Sequence, residues 1–276
     1  MLEIIKAVFA GIIQGLTEFL PVSSSGHLAI FKNIFGLDFD DAILFTIILH
    51  LGTLVAVFII YFKDIKELFI SFFTLLFKIF TWKFNYYRLT SGERLVIMIF
   101  IATVPLVVGA LIDKQIEVLS DYTKVIGLFL IVNSVILFFS DRIPTGNLTE
   151  KTATPRNALF VGLCQLIAVA PGISRSGATI TGGLLNGFDR RFAVKFSFIM
   201  SIPAILGASV FKIADFAASD APVTFLMVMQ CIFGFFFAFA AGIIAIYFVT
   251  IIARRKNFTI FAIYCFIVGL LALIFG

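Results

Sequence analysis

The sequence predicts an all-α integral membrane protein built as an inverted-topology repeat, with six transmembrane helices and two re-entrant helix-break-helix hairpins meeting near the bilayer midplane. Three observations carry that prediction. The 276 residues are 61% hydrophobic and 13% charged, with a mean hydropathy of +1.11, whereas soluble domains are roughly half apolar and a quarter charged. The apolar residues form long continuous runs, not the every-second-residue alternation of a transmembrane barrel, so helices must satisfy the backbone in lipid. The chain also matches itself at an offset of 151 residues, in a register rich in glycine, serine and aspartate. A soluble fold is excluded, and thirty-six Phe residues suit a protein whose outside is as apolar as its core.

In chain order, the stretch 4–30 opens with an apolar run too short to span, breaks at Pro21 and resumes after a serine-rich turn. Crossings follow at 41–62, 93–112 and 122–140. A second broken stretch, 157–187, stops at Pro171-Gly172, and crossings follow at 192–213, 223–251 and 257–275. The run Ile4 to Leu16 has Glu3 beside it as well as Lys6, and it flows into Thr17 and Glu18 without a small-residue cleavage site. It is therefore expected to belong to the fold and not to a secretory leader. Cys164, Cys231 and Cys265 lack metal-ligand spacing and read as small buried hydrophobes.

At the offset of 151, Phe9 meets Phe160, Gly11 meets Gly162, Gln14 meets Gln165, Ser23 meets Ser174, Ser25 meets Ser176 and Gly26 meets Gly177. The register continues through Gly36 and Gly187, Asp38 and Asp189, Phe45 and Phe196, Ile48 and Ile199, and Asp64 and Asp215. A single membrane domain, 1–276, is thus expected to contain two halves, about 1–140 and 157–276, each a hairpin followed by three crossings. Three crossings invert the second copy.

The net charge of +5 lies mostly in connections, which reads as topology-setting charge and not as a nucleic-acid footprint. Basic residues concentrate in 63–92 (Lys63, Lys66, Lys78, Lys83, Arg88), 141–156 (Arg142, Lys151, Arg156) and 253–256, and again at Arg190, Arg191 and Lys195, whereas 214–222 carries Asp215 and Asp220 without a cation. With the basic connections in the cytoplasm, the first hairpin enters from outside and the second from inside, leaving both termini outside.

Chemistry concentrates at the two breaks. Gln14 and Glu18 are one helical turn apart on one face, and a carboxylate amid apolar sequence needs a partner. Arg175, in the second break, has no acidic neighbour and stays charged, so it must meet Glu18, an anionic ligand, or both. Ser23 to Ser25 and Ser174 to Ser176 suit helix N-caps, and Gly26, Gly172 and Gly177 permit close backbone approach. Two such N-termini converging would cradle a phosphate or carboxylate. For Ser23, Ser176, Gly26 and Gly177, capping or tight packing is an equal alternative to ligand contact. The only imidazoles are His27, at the end of the serine turn and within reach of the cradle, and His50, which reads first as a hydrogen-bonded helix-packing histidine inside a crossing, with a supporting site role as the alternative.

On the residues alone two function classes stand open. Inverted repeats with broken helices describe transporters of anionic substrates or lipids, and the physics leans that way. An intramembrane phosphate hydrolase would also need a nucleophile and a proton acceptor, which Ser24 and His27 could supply.

The motifs Gln14-x-x-x-Glu18, Pro21-Val22-Ser23-Ser24-Ser25-Gly26-His27 and Pro171-Gly172-Ile173-Ser174-Arg175-Ser176-Gly177-Ala178-Thr179 resemble those of the bacterial undecaprenyl-diphosphate phosphatases, the bacitracin-resistance family, across essentially the whole chain. Many members carry Glu where Gln14 stands, so this chain has one acid where those have two. The resemblance implies hydrolysis of a polyprenyl diphosphate to the monophosphate carrier lipid used for peptidoglycan. It also implies a divalent cation, Mg2+ or Ca2+, and a multi-pass protein of the plasma membrane with its site open to the outer face. A homodimer is left open and no nucleic-acid partner is expected. Under this reading Arg175 clamps the diphosphate, with Ser23, Ser25, Gly26, Gly172, Ser174, Ser176, Gly177 and Thr179 lining the phosphate cradle. Glu18 and Gln14 hold the cation, and Ser24 attacks with His27 as base, direct attack by His27 being the competitor. Acid-phosphatase-like lipid phosphatases require a histidine shortly after Ser-Arg. Thr181 stands six residues beyond Arg175, and no histidine follows.

Overall fold

The computed structural model describes residues 1–35, 42–218 and 223–276. Thirteen α-helices occur among the described residues. They are α1 (Leu2–Phe19), α2 (Ser24–Phe35), α3 (Ala42–Ile60), α4 (Phe62–Phe80), α5 (Ser91–Thr103), α6 (Leu106–Leu111), α7 (Asp113–Leu119), α8 (Thr123–Ser140), α9 (Pro155–Ile167), α10 (Arg175–Leu185), α11 (Arg190–Ala218), α12 (Phe225–Arg254) and α13 (Thr259–Phe275). No strand occurs among them, only a parallel bridge between Leu148 and Phe188. Gly36, Asp38 and Asp220 of the repeat and charge patterns lie outside the described residues.

Five helical spans are long and apolar enough to cross a membrane: Ile43–Ile60, Ser91–Leu111 (α5 running into α6), Thr123–Ser140, Arg190–Ala218 and Phe225–Arg254. The sixth expected crossing, α13, is equally apolar but 17 residues long. At most 44% of any of these windows is buried within the protein, so the rest of each span needs an apolar solvent. This is a multi-pass membrane protein. Pro105 divides the second span because it has no N-H for the helical ladder.

Both expected helix-break-helix units are present, as α1–α2 and α9–α10. The first differs in extent from the apolar run. α1 continues through Thr17, Glu18 and Phe19 because its polar side chains find partners inside the helix. Thr17 Oγ1 donates to the Ile13 carbonyl at 2.6 Å and Gln14 Nε2 to Glu18 at 2.8 Å. The connection 63–92 also proves to contain a 19-residue helix, α4, with Leu75 and Ser71 on its buried face. Its lysines, which suggest a loop, alternate with an apolar stripe at helical spacing.

The helices pack where small residues allow backbones to meet. α1 lies along α12, where a Cβ on Gly11 would stand 2.5 Å from the Gly234 carbonyl oxygen and one on Gly15 2.7 Å from Ala241 Cβ. Likewise α9, at residues 155–167, packs against α5 of the first half, with Gly162 on the Ala102 backbone. α8 lies along α13 at a reciprocal glycine contact. A Cβ on Gly127 would sit 2.7 Å from the Gly269 carbonyl oxygen, and one on Gly269 2.7 Å from that of Gly127. α3 runs between α12 and α11. Asp141, after α8, completes the end of the bundle by accepting from Phe258 N at 2.9 Å and Thr259 N at 2.7 Å at the start of α13.

The reciprocal glycine contact can be tested directly. Gly127→Val should lower stability by about 2 kcal/mol through overpacking, read as a lower thermal midpoint in detergent. Gly207→Val, with nothing within 4 Å of its Cβ, should leave the midpoint in place. Equal midpoints would mean that α8 and α13 separate without cost.

Candidate active site

The two breaks meet, and Glu18 is the point at which they do. Its side chain, in the last turn of α1, is 2% exposed. One carboxylate oxygen, Oε1, accepts from the Arg175 guanidinium at the first residue of α10, 157 positions away in the chain. The other, Oε2, accepts from Gln14 Nε2 at 2.8 Å and from Ser24 Oγ, at the first residue of α2, also at 2.8 Å. A carboxylate buried this far is tolerable only with a countercharge and hydrogen bonds on its remaining lone pairs, and here it has both. The sequence expectation that Arg175 must meet an acid is answered by Glu18.

Backbone geometry brings the helix starts together. Ser23 holds a positive φ of 73° and Gly172 one of 106°, a conformation that glycine adopts readily and serine rarely. Ser174 caps α10 by accepting from Gly177 N at 3.1 Å, and Ser23 accepts in the same way from Gly26 N at 3.3 Å. Each hairpin buttresses the other: a Cβ on Gly26 would lie 3.0 Å from Gly172 Cα, and one on Gly177 3.2 Å from Pro21 Cβ. Ser176 Oγ donates to the Leu20 carbonyl at 3.3 Å, and Thr179 Oγ1 donates to the Arg175 carbonyl at 2.8 Å. α2 and α10 thus present two N-termini to one place, where unpaired N-H groups and dipole ends favour an anion.

A cavity of about 540 Å³ opens on this junction, with Gln14, Glu18, Ser24, His50, Arg175 and Lys212 in its lining. Ser23, Ser25 and Ser174 also border it. Gly26, Gly172, Ser176, Gly177 and Thr179, expected in the phosphate cradle, stand outside the lining and serve as caps and packing contacts. The lining reaches Asp121 before α8 and Lys212 near the end of α11, and it takes no residue from the basic stretches 63–92, 141–156 or 253–256.

His27 requires a correction. Its ring faces away from Ser24: Nδ1 donates to the Ser23 carbonyl at 2.8 Å and Nε2 accepts from the Tyr264 hydroxyl at 2.9 Å, with the two rings stacked at 5.5 Å. It lies outside the cavity lining, so the expected Ser24–His27 pair does not form. The Ser24 side chain turns back toward α1, whereas the His27 ring, three residues on, is held at the Ser23 carbonyl and stacked on Tyr264 of α13. The Ser24 hydroxyl donates to Glu18 instead. The imidazole at the cavity is His50, read from sequence as a packing residue. Its Nδ1 donates to the Thr46 carbonyl at 2.8 Å, and its Nε2 faces Glu18 Oε2 from 3.9 Å.

Among the described residues no group of three His, Cys, Asp or Glu side chains converges as a metal site. The donors nevertheless suit a hard divalent cation that takes part of its shell from a phosphate ligand. Glu18 offers a carboxylate, and the buried Gln14 Oε1 beside it has no hydrogen-bond partner.

One positioning residue gave no sequence signal. Asn133, fully buried midway along α8, donates from Nδ2 to the Pro21 carbonyl at 2.9 Å and accepts at Oδ1 from Ser174 N at 3.0 Å. A single side chain thereby holds both breaks.

The family model described as bacitracin resistance protein BacA matches residues 7–271. A relative named undecaprenyl-diphosphatase from Methanosphaera stadtmanae is 37% identical over 279 residues, covering 99% of this chain and 98% of its own. Relatives of the same name from Methanobrevibacter smithii and Halothermothrix orenii are 39% and 38% identical, each over 274 residues, covering 98% and 99% of this chain and 96% and 98% of their own.

Asn133 supplies the sharpest test of this architecture. Asn133→Leu leaves the buried Ser174 N-H without its partner and the Pro21 carbonyl with only the Cys265 thiol at 4.0 Å, so stability should fall by about 1–3 kcal/mol. The backbone amide of Ser174 should become measurably more exchangeable by hydrogen exchange. Unchanged protection there would remove Asn133 from its role as a strut.

Proposed function

This chain belongs to the bacitracin resistance protein BacA family, and from that membership and the junction of Ser24, Glu18 and Arg175 we propose how it works as an undecaprenyl-diphosphate phosphatase. The protein hydrolyses undecaprenyl diphosphate to undecaprenyl phosphate and inorganic phosphate. The carrying observation is the hydrogen bond from the Ser24 hydroxyl to Glu18 in a cavity that also contains Arg175. A binding site for an anion needs the arginine; a nucleophile paired with a carboxylate adds the means for group transfer.

In the substrate-free arrangement the guanidinium is held by Glu18. An entering diphosphate competes for the same planar fork, and Arg175 turns from the carboxylate to two phosphate oxygens. Glu18, released from its countercharge, becomes a better proton acceptor. Ser24 Oγ then attacks the terminal phosphorus and its proton passes to Glu18. The new P–Oγ bond replaces the anhydride P–O bond, and the lipid monophosphate leaves with that electron pair. Water subsequently cleaves the phosphoserine and restores the hydroxyl. The N-termini of α2 and α10 stabilise charge on the transferring group. His50 lines the cavity beside Glu18, and His27 acts indirectly by fixing the Ser23 carbonyl and hence the turn that carries Ser24. Glu18 and Gln14 Oε1 would hold Mg2+ or Ca2+. When bound, the cation would neutralise diphosphate charge beside the carboxylate.

The same reading assigns the orientation. Packing of α1 on α12 is matched by α9 on α5, and α8 meets α13 through reciprocal glycines, as two inverted halves of one membrane domain would. These pairings support re-entrant hairpins that enter from opposite faces. The cavity reaches the chain segments opposite the basic connections. With those connections in the cytoplasm, the site opens to the outer face of the plasma membrane.

Phosphate release from undecaprenyl diphosphate in detergent should fall at least about a hundredfold in Ser24→Ala and in Arg175→Lys, with thermal midpoints near that of the wild type for Ser24→Ala. Wild-type turnover by either variant would remove that residue from the chemistry. Exhaustive chelation should abolish release, and added Mg2+ or Ca2+ should restore it; full activity in the chelated protein would end the metal assignment.

A further inference from the structure

We propose that α4 is an in-plane anchor that binds the anionic phospholipid surface at the basic end of the bundle. The inference is independent of the phosphatase reading and rests on how the helix is pinned and what it leaves uncovered.

Both ends of α4 are tied to the same end of the protein. Asp64, in its first turn, pairs with Lys195 of α11, whose Nζ also donates to Glu150 at 2.9 Å. Lys78, in its last turn, donates to both oxygens of Glu93 at the start of α5, at 2.6 and 2.8 Å. Glu93 and Glu150 lie at one level, because Arg94 of α5 donates to the Lys151 carbonyl at 3.3 Å. Asp64 and Lys78 are fourteen residues apart, about 20 Å of helix. A helix that travels that far between attachments at one level runs across the end of the bundle and not through the bilayer.

Its outward stripe is aromatic. Phe62, Phe69, Phe73 and Phe80 recur at intervals of seven, four and seven residues and are each more than half exposed. Trp82, just past the helix, is 95% exposed. Flanking that stripe, Lys63, Lys66, Lys83 and Arg88 are exposed and make no ion pair among the described residues. An apolar face bordered by free cations, with Trp and Tyr at its end, fits the boundary between acyl chains and acidic headgroups. A second copy of the chain fits poorly, since a twofold contact along this stripe would bring the same lysines together.

Trp82 is the chain's only tryptophan, so its fluorescence reports this segment alone. The full-length protein is placed in nanodiscs of phosphatidylcholine with an equal mole fraction of phosphatidylglycerol, one or the other lipid brominated in its acyl chains. Trp82 should be quenched more strongly by brominated phosphatidylglycerol. The variant K63Q/K66Q/K83Q should lose that preference by about fivefold per cation removed, while keeping the wild-type thermal midpoint as a check of folding. If the triple variant fails to reconstitute, Lys83→Gln, which lies beyond the helix, should show the single-cation loss. Equal quenching by the two lipids in the wild type would overturn the proposal, as would an absence of quenching, which would place the stripe in water or against a second copy. None of these readings uses the substrate, so failure of the phosphatase assignment would leave the outcome interpretable.

Discussion

A single buried carboxylate sets the terms for the rest of the molecule. Glu18 sits in a chain composed almost entirely of lipid-compatible sequence, where an isolated charge costs several kcal/mol. Every partner that offsets this cost comes from a different piece of the fold: Gln14 from the turn before, Ser24 from beyond the first break, and Arg175 from beyond the second. The ion pair therefore acts as a registration mark between the halves. Neither break has a reason to sit where it does without the other, and each carries backbone that water would otherwise have to satisfy.

The pair is also chemically unfinished. An arginine held by a protein carboxylate can be claimed by a better-matched dianion, and in the mechanism proposed above that exchange would convert a passive countercharge into a proton acceptor beside a serine. The small residues around the junction serve this arrangement from behind, since Gly26 and Gly177 let the two hairpins touch.

Much of this was legible in the sequence because the expensive features are rare and repeated. Prolines and glycines interrupt apolar runs at two places in one register, and ionisable residues inside such runs can only face inward. That was enough to locate the breaks and to require an anionic partner for Arg175, with Glu18 or a ligand as the alternatives. Three features escaped, each for a physical reason. Asn133 is one amide in an ordinary crossing, and only the folded distance to Pro21 and Ser174 shows its use. His27 is three residues from Ser24, a spacing that shares a helical face, but its ring is drawn to the Ser23 carbonyl and to Tyr264, whereas His50, distant in sequence, arrives on α3 beside Glu18. The helix α4 was hidden by its own lysines, because a charge-bearing segment at a bilayer surface and a soluble loop share a composition and differ only in periodicity.

The strut formed by Asn133 bears on how this membrane protein can move. Alternating exposure of a site to two sides requires one hairpin to swing while the other stays, an independent hinge for each half. Here both breaks are fastened to one amide on α8, so displacement of either is carried to the other. The two breaks are thereby joined as one part, and the exchange of Arg175 proposed above asks only side chains to turn over.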